Sequence, residues 1–136
     1  MDSAKRFRLP LHGSAILCPS NYSAETYAKQ MSQLGLKAKF VSGKKIDLKA
    51  PYIKVLTLHS AKGLEFPFVV VTGLESGNFP SFNSDLPTEE HSKIRDEQRR
   101  LFYVGCSRAM GSLMVCGSSS HPSEFIENLT FPHWRS

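Results

Sequence analysis

The chain has 136 residues, of which 40% are hydrophobic and 21% charged, with a formal net charge of +5. That length suits one domain with a buried core, and the composition excludes a disordered or low-complexity protein. The surplus of Lys and Arg favours an anionic partner, nucleotide or nucleic acid, over a cationic one. The three cysteines, Cys18, Cys106 and Cys116, show no metal-ligand spacing and no disulfide framework, so a reducing compartment is expected. No apolar run is long enough for a membrane span or a signal peptide, which makes a soluble cytoplasmic protein the default.

Residues 1–12 carry Lys5, Arg6, Arg8 and His12 around Phe7, Leu9 and Leu11, and read as a flexible lead-in. The folded domain is expected over 13–130, with a short tail at 131–136. Ser14 to Cys18 is a short apolar run stopped by Pro19, hence a buried strand. Ser20 or Ser23 can cap the helix that follows. Its apolar positions, Ala24, Tyr27, Ala28, Met31 and Leu34, recur at spacings of three and four, with Gly35 at the carboxyl end. Leu36 to Val41 alternates lysines with apolar residues, as an edge strand does. A right-handed unit with parallel strands follows from that order.

Ile53 to Thr72 reads as a buried strand, a polar turn and a second buried strand. Val55, Leu56 and Leu58 enter the turn, and Phe68 to Val71 leave it. The turn holds Thr57, His59, Ser60, Lys62, Gly63 and Glu65, which together donate, accept and permit tight backbone. Ligands of open α/β sheets bind at the carboxyl ends of strands, and the turn is expected there. Gly73 to Thr88 is a Gly/Pro/Ser/Asn-rich loop anchored by Phe79 and Phe82.

Glu89 to Met110 is the strongest helix candidate, capped by Asp85 or Thr88 and closed by Gly111. Its apolar face is Ile94, Leu101, Phe102, Gly105 and Ala109, with Arg95, Arg99 and Arg100 off that face and Arg108 near the carboxyl end. Ser112 to Cys116 is a further buried strand. His121 to Leu129 makes a short helix with Phe125, Ile126 and Leu129 inward. The class is therefore α/β, a mostly parallel sheet flanked by helices.

Two stretches resemble motifs of one family. Thr57-Leu-His-Ser-Ala-Lys-Gly-Leu-Glu-Phe, followed by an apolar strand, resembles motif V of the UvrD/Rep/PcrA-type superfamily 1 DNA helicases. Asp96-Glu-Gln-Arg-Arg-Leu-Phe-Tyr-Val-Gly-Cys-Ser-Arg-Ala109 is similar to motif VI of the same family, with Ser107 in place of the usual Thr. The resemblance implies a RecA-like fold of the P-loop NTPase type and a carboxyl-terminal motor domain. In such enzymes ATP and Mg2+ lie between two RecA-like domains, and the second supplies arginine to the γ-phosphate. The resemblance assigns that catalytic role to Arg108 and nucleotide contacts to Glu65 and Gly63. It places Thr57, His59 and, more loosely, Lys62 along single-stranded DNA. Arg99 and Arg100 carry over partly as structural residues.

The departures matter as much. No G-x-x-x-x-G-K-[ST] occurs, Ser42-Gly-Lys-Lys45 lacking both the upstream glycine and the following hydroxyl, and no Asp-Glu pair follows an apolar strand. The family's large insertion before motif V shrinks here to Ser42 to Pro51. The expected protein is thus part of an ATP-dependent DNA helicase, inactive alone and completed by an amino-terminal RecA-like domain. The alternative is a non-catalytic module, derived from a helicase domain, that binds nucleic acid or protein.

Overall fold

The computed structural model describes residues 13–42, 46–47, 49–75, 79–81, 85–117, 120–121 and 123–127. The lead-in at 1–12, the tail at 131–136, Phe82 and Leu129 lie outside them. Five strands, β1 (Ser14–Cys18), β2 (Ala38–Phe40), β3 (Ile53–Thr57), β4 (Phe66–Leu74) and β5 (Ala109–Gly117), form one sheet in the order β2-β3-β1-β4-β5. Every pairing is parallel. The expected α/β class holds, and the sheet is parallel throughout. The first and second strands of the early unit are parallel but not neighbours, since β3 lies between them.

Burial on both faces explains the apolar runs of the inner strands. All five residues of β1 and of β3 are buried. Ala15, Leu17, Leu56, Val69 and Val71 face one side, and Ile16, Cys18, Ile53, Val55, Phe68 and Val70 the other. Helix α1 (Asn21–Gln33) covers the second side through Ala24 and Ala28. Ser20 is its cap: its hydroxyl accepts from the Ser23 amide at 3.2 Å while Ser23 Oγ accepts from the Ser20 amide at 3.3 Å. Ser23 is the reciprocal half of a capping box, worth about 1 kcal/mol.

Helix α2 (Thr88–Cys106) covers the first side through Phe102 and Gly105. It ends four residues before the expected Met110. Its amino terminus carries Pro87 as the cap, with no side-chain bond, so neither Asp85 nor Thr88 caps it. Gln98 fixes the preceding loop: its Oε1 accepts from the Ser81 amide and its Nε2 donates to the Ser81 carbonyl, both at 2.9 Å. Phe79 is buried and meets Phe125 edge-on at 5.1 Å, which bears out its role as an anchor. Phe125 belongs to α3 (Glu124–Glu127), where the Ser123 hydroxyl donates to the Phe79 carbonyl. Arg95 Nε donates to Glu124 Oε1 at 2.7 Å, Arg99 pairs with Asp96 at 3.2 Å, and the Arg99 guanidinium lies over the Phe125 ring. Arg95 and Arg99 therefore tie α2 to α3, through Glu124 and the Phe125 ring. No helix among the described residues is long and apolar enough to cross a membrane.

Candidate functional site

The polar stretch between β3 and β4 is a crossover, not a turn at one end of the sheet. β1 lies between the two strands, so the chain must pass about 10 Å sideways. It must also descend the sheet, because parallel strands start at the same end. Leu58 and Ala61 are fully buried and Leu64 partly so, all against the cluster that holds Phe102. This spacing of three turns the polar residues between them outward. His59, Lys62 and Glu65 are exposed.

The crossover starts at the carboxyl end of β3. Thr57 pairs in register with Cys18, and the Leu58 amide donates to the Cys18 carbonyl at 2.9 Å. Thr57 is only 7% exposed, and its hydroxyl is engaged locally. It donates to Ser60 Oγ at 3.1 Å and accepts from the Ser60 amide at 3.2 Å. Thr57 thus shapes the bend that carries His59. Gly63 has φ +80°, with open space where a Cβ would stand. The glycine is needed for its left-handed backbone and not for room.

Glu65 and Arg108 lie at the other end. Phe66 pairs with Ala109, and the Phe66 amide donates to the Arg108 carbonyl at 2.9 Å. Each residue immediately precedes its strand, so the two backbones meet at the amino ends of β4 and β5. The turn is expected at the carboxyl ends of the strands, but its Glu65 end stands with Arg108 at the amino ends of β4 and β5. The reason is topological: a parallel connection delivers the chain to the start of the next strand. Thr57 and Glu65, eight residues apart in sequence, sit at opposite ends of the sheet.

Arg108 also lies outside the helix expected to carry it. Helix α2 stops at Cys106, Ser107 is its carboxyl cap, and Ala109 begins β5. The Val104 carbonyl accepts from Ser107 Oγ at 2.7 Å and from Arg108 Nε at 3.2 Å. A cation is favoured where unpaired helix carbonyls converge. Arg108 makes no ion pair with Asp96 or Glu97, and Asp96 is taken by Arg99. Arg100 is exposed on the outer face of α2.

Sequence reasoning passed over Lys54. It is 1% exposed within β3, its Nζ donating to the Ala50 carbonyl at 2.7 Å and lying 5.3 Å from the Tyr52 ring. Burial lowers its pKa, and Asp47 partly opposes that shift. Its signal was a lone lysine inside an otherwise apolar strand. The cysteines are all free; burial pushes Cys18 up to about 12 and Cys106 up to about 11, and also raises Cys116. None is an activated thiolate. Among the described residues, no three His, Cys, Asp or Glu side chains are placed to hold a metal. An open cleft of about 300 Å³ lies at the carboxyl ends of β4 and β5, lined by Tyr27, Thr72, Glu75 and Cys116 among others. It contains none of the expected site residues.

Comparison with known proteins agrees with the motifs. The pattern defining the UvrD-like helicase C-terminal domain matches residues 23–120. The chain is 49% identical over 87 residues to DNA helicase II of Escherichia coli, covering 57% of this chain and 12% of that protein. It is 44% identical over 87 residues to DNA helicase II of Haemophilus influenzae, covering 57% of this chain and 11% of that one. It therefore spans about a tenth of the length of these relatives. The crystal structure of the C-terminal domain of a possible DNA helicase from Lactobacillus plantarum WCFS1 superposes with a TM-score of 0.66 at 23% identity. That match covers 96% of this chain and 68% of the other. The shared fold is the RecA-like α/β sheet.

Proposed function

Because the chain belongs to the UvrD-like helicase C-terminal domain family, we propose that it is the second motor domain of an ATP-dependent DNA helicase. Arg108 supplies the γ-phosphate cation, Glu65 and Gly63 belong to the nucleotide side, and His59 and Lys62 to the single-stranded DNA track. Thr57 supports that track by fixing the bend beneath His59. The observation that carries the reading is the meeting of Glu65 and Arg108 at one end of the sheet, tied by the 2.9 Å bond between Phe66 and Arg108. The parallel pairing of β4 and β5 sets an arginine of one motif and a carboxylate of the other at the same end of the sheet.

The residues present fit one half of a nucleotide site. Arg108 offers a planar fork of donors to phosphoryl oxygens, and exposed Glu65 offers acceptors to a ribose hydroxyl. ATP, when bound with Mg2+, supplies the phosphoryl group that is transferred to water. The phosphate loop and the metal carboxylates must come from an amino-terminal RecA-like domain, in the same or another chain. Positioning dominates phosphoryl transfer, so arginine without a phosphate loop gives no turnover.

His59 and Lys62 lie on the same crossover as Glu65, and the crossover spans the sheet from end to end. DNA contacts made there, to the backbone and without sequence preference, can be felt at the nucleotide end through one short segment. The purified chain should show no ATPase activity, with or without single-stranded DNA. Mixed with the phosphate-loop domain of such a helicase, it should restore DNA-stimulated hydrolysis. Arg108→Ala should then lower turnover by about three orders of magnitude, the scale of an arginine finger, with DNA binding nearly intact. His59→Ala should instead weaken the stimulation by DNA. Turnover by the chain alone, unchanged in Arg108→Ala, would sink the proposal. DNA binding without any restored hydrolysis would favour the non-catalytic binding module.

A further inference from the structure

Ser107 and Arg108 share a hydrogen-bond relay at the end of α2. Ser107 Oγ donates to the Val104 carbonyl at 2.7 Å and stands 3.0 Å from Arg108 Nη2, which donates to it. Arg108 Nε donates to the same Val104 carbonyl at 3.2 Å. A hydroxyl has one proton, so a serine that gives it to Val104 can only accept from the guanidinium. Nε and Nη2 form one edge of the guanidinium, and that edge is engaged at both atoms. The end formed by Nη1 and Nη2 has no other partner among the described residues.

We infer that Ser107 is the positioning residue for Arg108, holding one edge of its guanidinium so that the free end faces a phosphoryl oxygen. This rests on the nucleotide reading of Arg108 given above. An arginine side chain is otherwise loose, and a planar fork loses less freedom per bond once one edge is fixed. No carboxylate competes for it, since the ion pairs of α2 lie on Lys93, Arg95 and Arg99. The relay also explains which residues suit position 107. Threonine keeps the Oγ, whereas alanine leaves Arg108 attached at Nε alone.

The full chain, labelled with 15N, is sufficient for the test. Hydrogen exchange of the Arg108 Nη2 hydrogens, the ones that meet Ser107 Oγ, should be slower than that of the exposed Arg100 Nη hydrogens by about fivefold or more, the effect of one modest hydrogen bond. Ser107→Ala should bring the two within about twofold, and Ser107→Thr should restore the difference. Unchanged exchange in Ser107→Ala, or a threonine variant that behaves as alanine does, overturns the relay. Amide signals away from residues 103–109 should superpose in all three proteins, which separates positioning from unfolding.

Titration with inorganic tripolyphosphate adds the second arm. The Arg108 Nε signal should respond in wild type and Ser107→Thr at about fivefold lower concentration than in Ser107→Ala. No response of Arg108 in the wild type overturns its phosphate role, even where the exchange data uphold the relay. A response equal in wild type and Ser107→Ala overturns the inference about Ser107 and leaves the role of Arg108 standing.

Discussion

Gly105→Ala tests the joint between the two motifs. A Cβ at this position would stand 2.4 Å from Leu58 Cδ2 and 3.4 Å from Leu17 Cδ1. Ordinary carbon contacts lie at about 3.5–4.0 Å, so Leu58 must move by more than 1 Å. Leu58 and Leu17 are both 0% exposed, so the added methyl enters a closed core. Two effects oppose each other. Alanine is better than glycine within a helix by about 1 kcal/mol. Overpacking a closed core costs about 1–3 kcal/mol. The clash wins, and we expect Gly105→Ala to be destabilised by about 1 kcal/mol. Leu58→Ala alone should cost about 2–5 kcal/mol as a core truncation. In the double variant the new methyl enters the space that Leu58 left, so the two losses should fall short of their sum by about 1 kcal/mol or more. Urea unfolding followed by far-UV circular dichroism measures this as shifts in midpoint at constant slope. Additivity within about 0.5 kcal/mol, or a Gly105→Ala protein stabilised by the full propensity gain, would show that helix and crossover do not touch as described.

The remaining expectations concern stability. Gly63→Ala should lose about 1–2 kcal/mol through its φ of +80° alone, and Gly63→Asn less, since nothing crowds the position; equal losses in urea midpoints would refute backbone strain. Ser20→Ala should lower stability by about 1 kcal/mol through the capping box, and an unchanged midpoint would show the cap to be replaceable. Burial pushes Cys18 up to about 12 from 9.0, so above pH 9 the unfolded chain ionises while the fold keeps the proton. Stability should therefore fall as pH rises from about 9 toward 12. Going from pH 8 to pH 10 should cost wild type about 1.4 kcal/mol more than Cys18→Ala, and parallel pH profiles would remove Cys18 from the account.

Much of this protein is determined locally, and there the sequence is sufficient. Ser14 to Cys18 is a strand because five apolar residues run into Pro19, and α1 follows from a three-and-four spacing behind a serine cap. The two motifs are contiguous strings, so family and fold class can be read without knowing what touches what. Tertiary pairing decided the rest. Nothing local stops α2 at Cys106, because Ser107 to Met110 are all compatible with helix. It ends there because β4 holds Ala109 in register with Phe66, and the Phe66 amide takes the Arg108 carbonyl. Gly111, the apparent stop, lies inside β5. Likewise, Thr57 to Glu65 reads as one turn, and only the presence of β1 between β3 and β4 stretches it across the sheet. The parallel sense of β3 and β4 puts Glu65 at the amino end, and the pairing of β4 with β5 brings it to Arg108. Strand order joins residues far apart in the chain, and no periodicity within a segment records which strand will lie beside it.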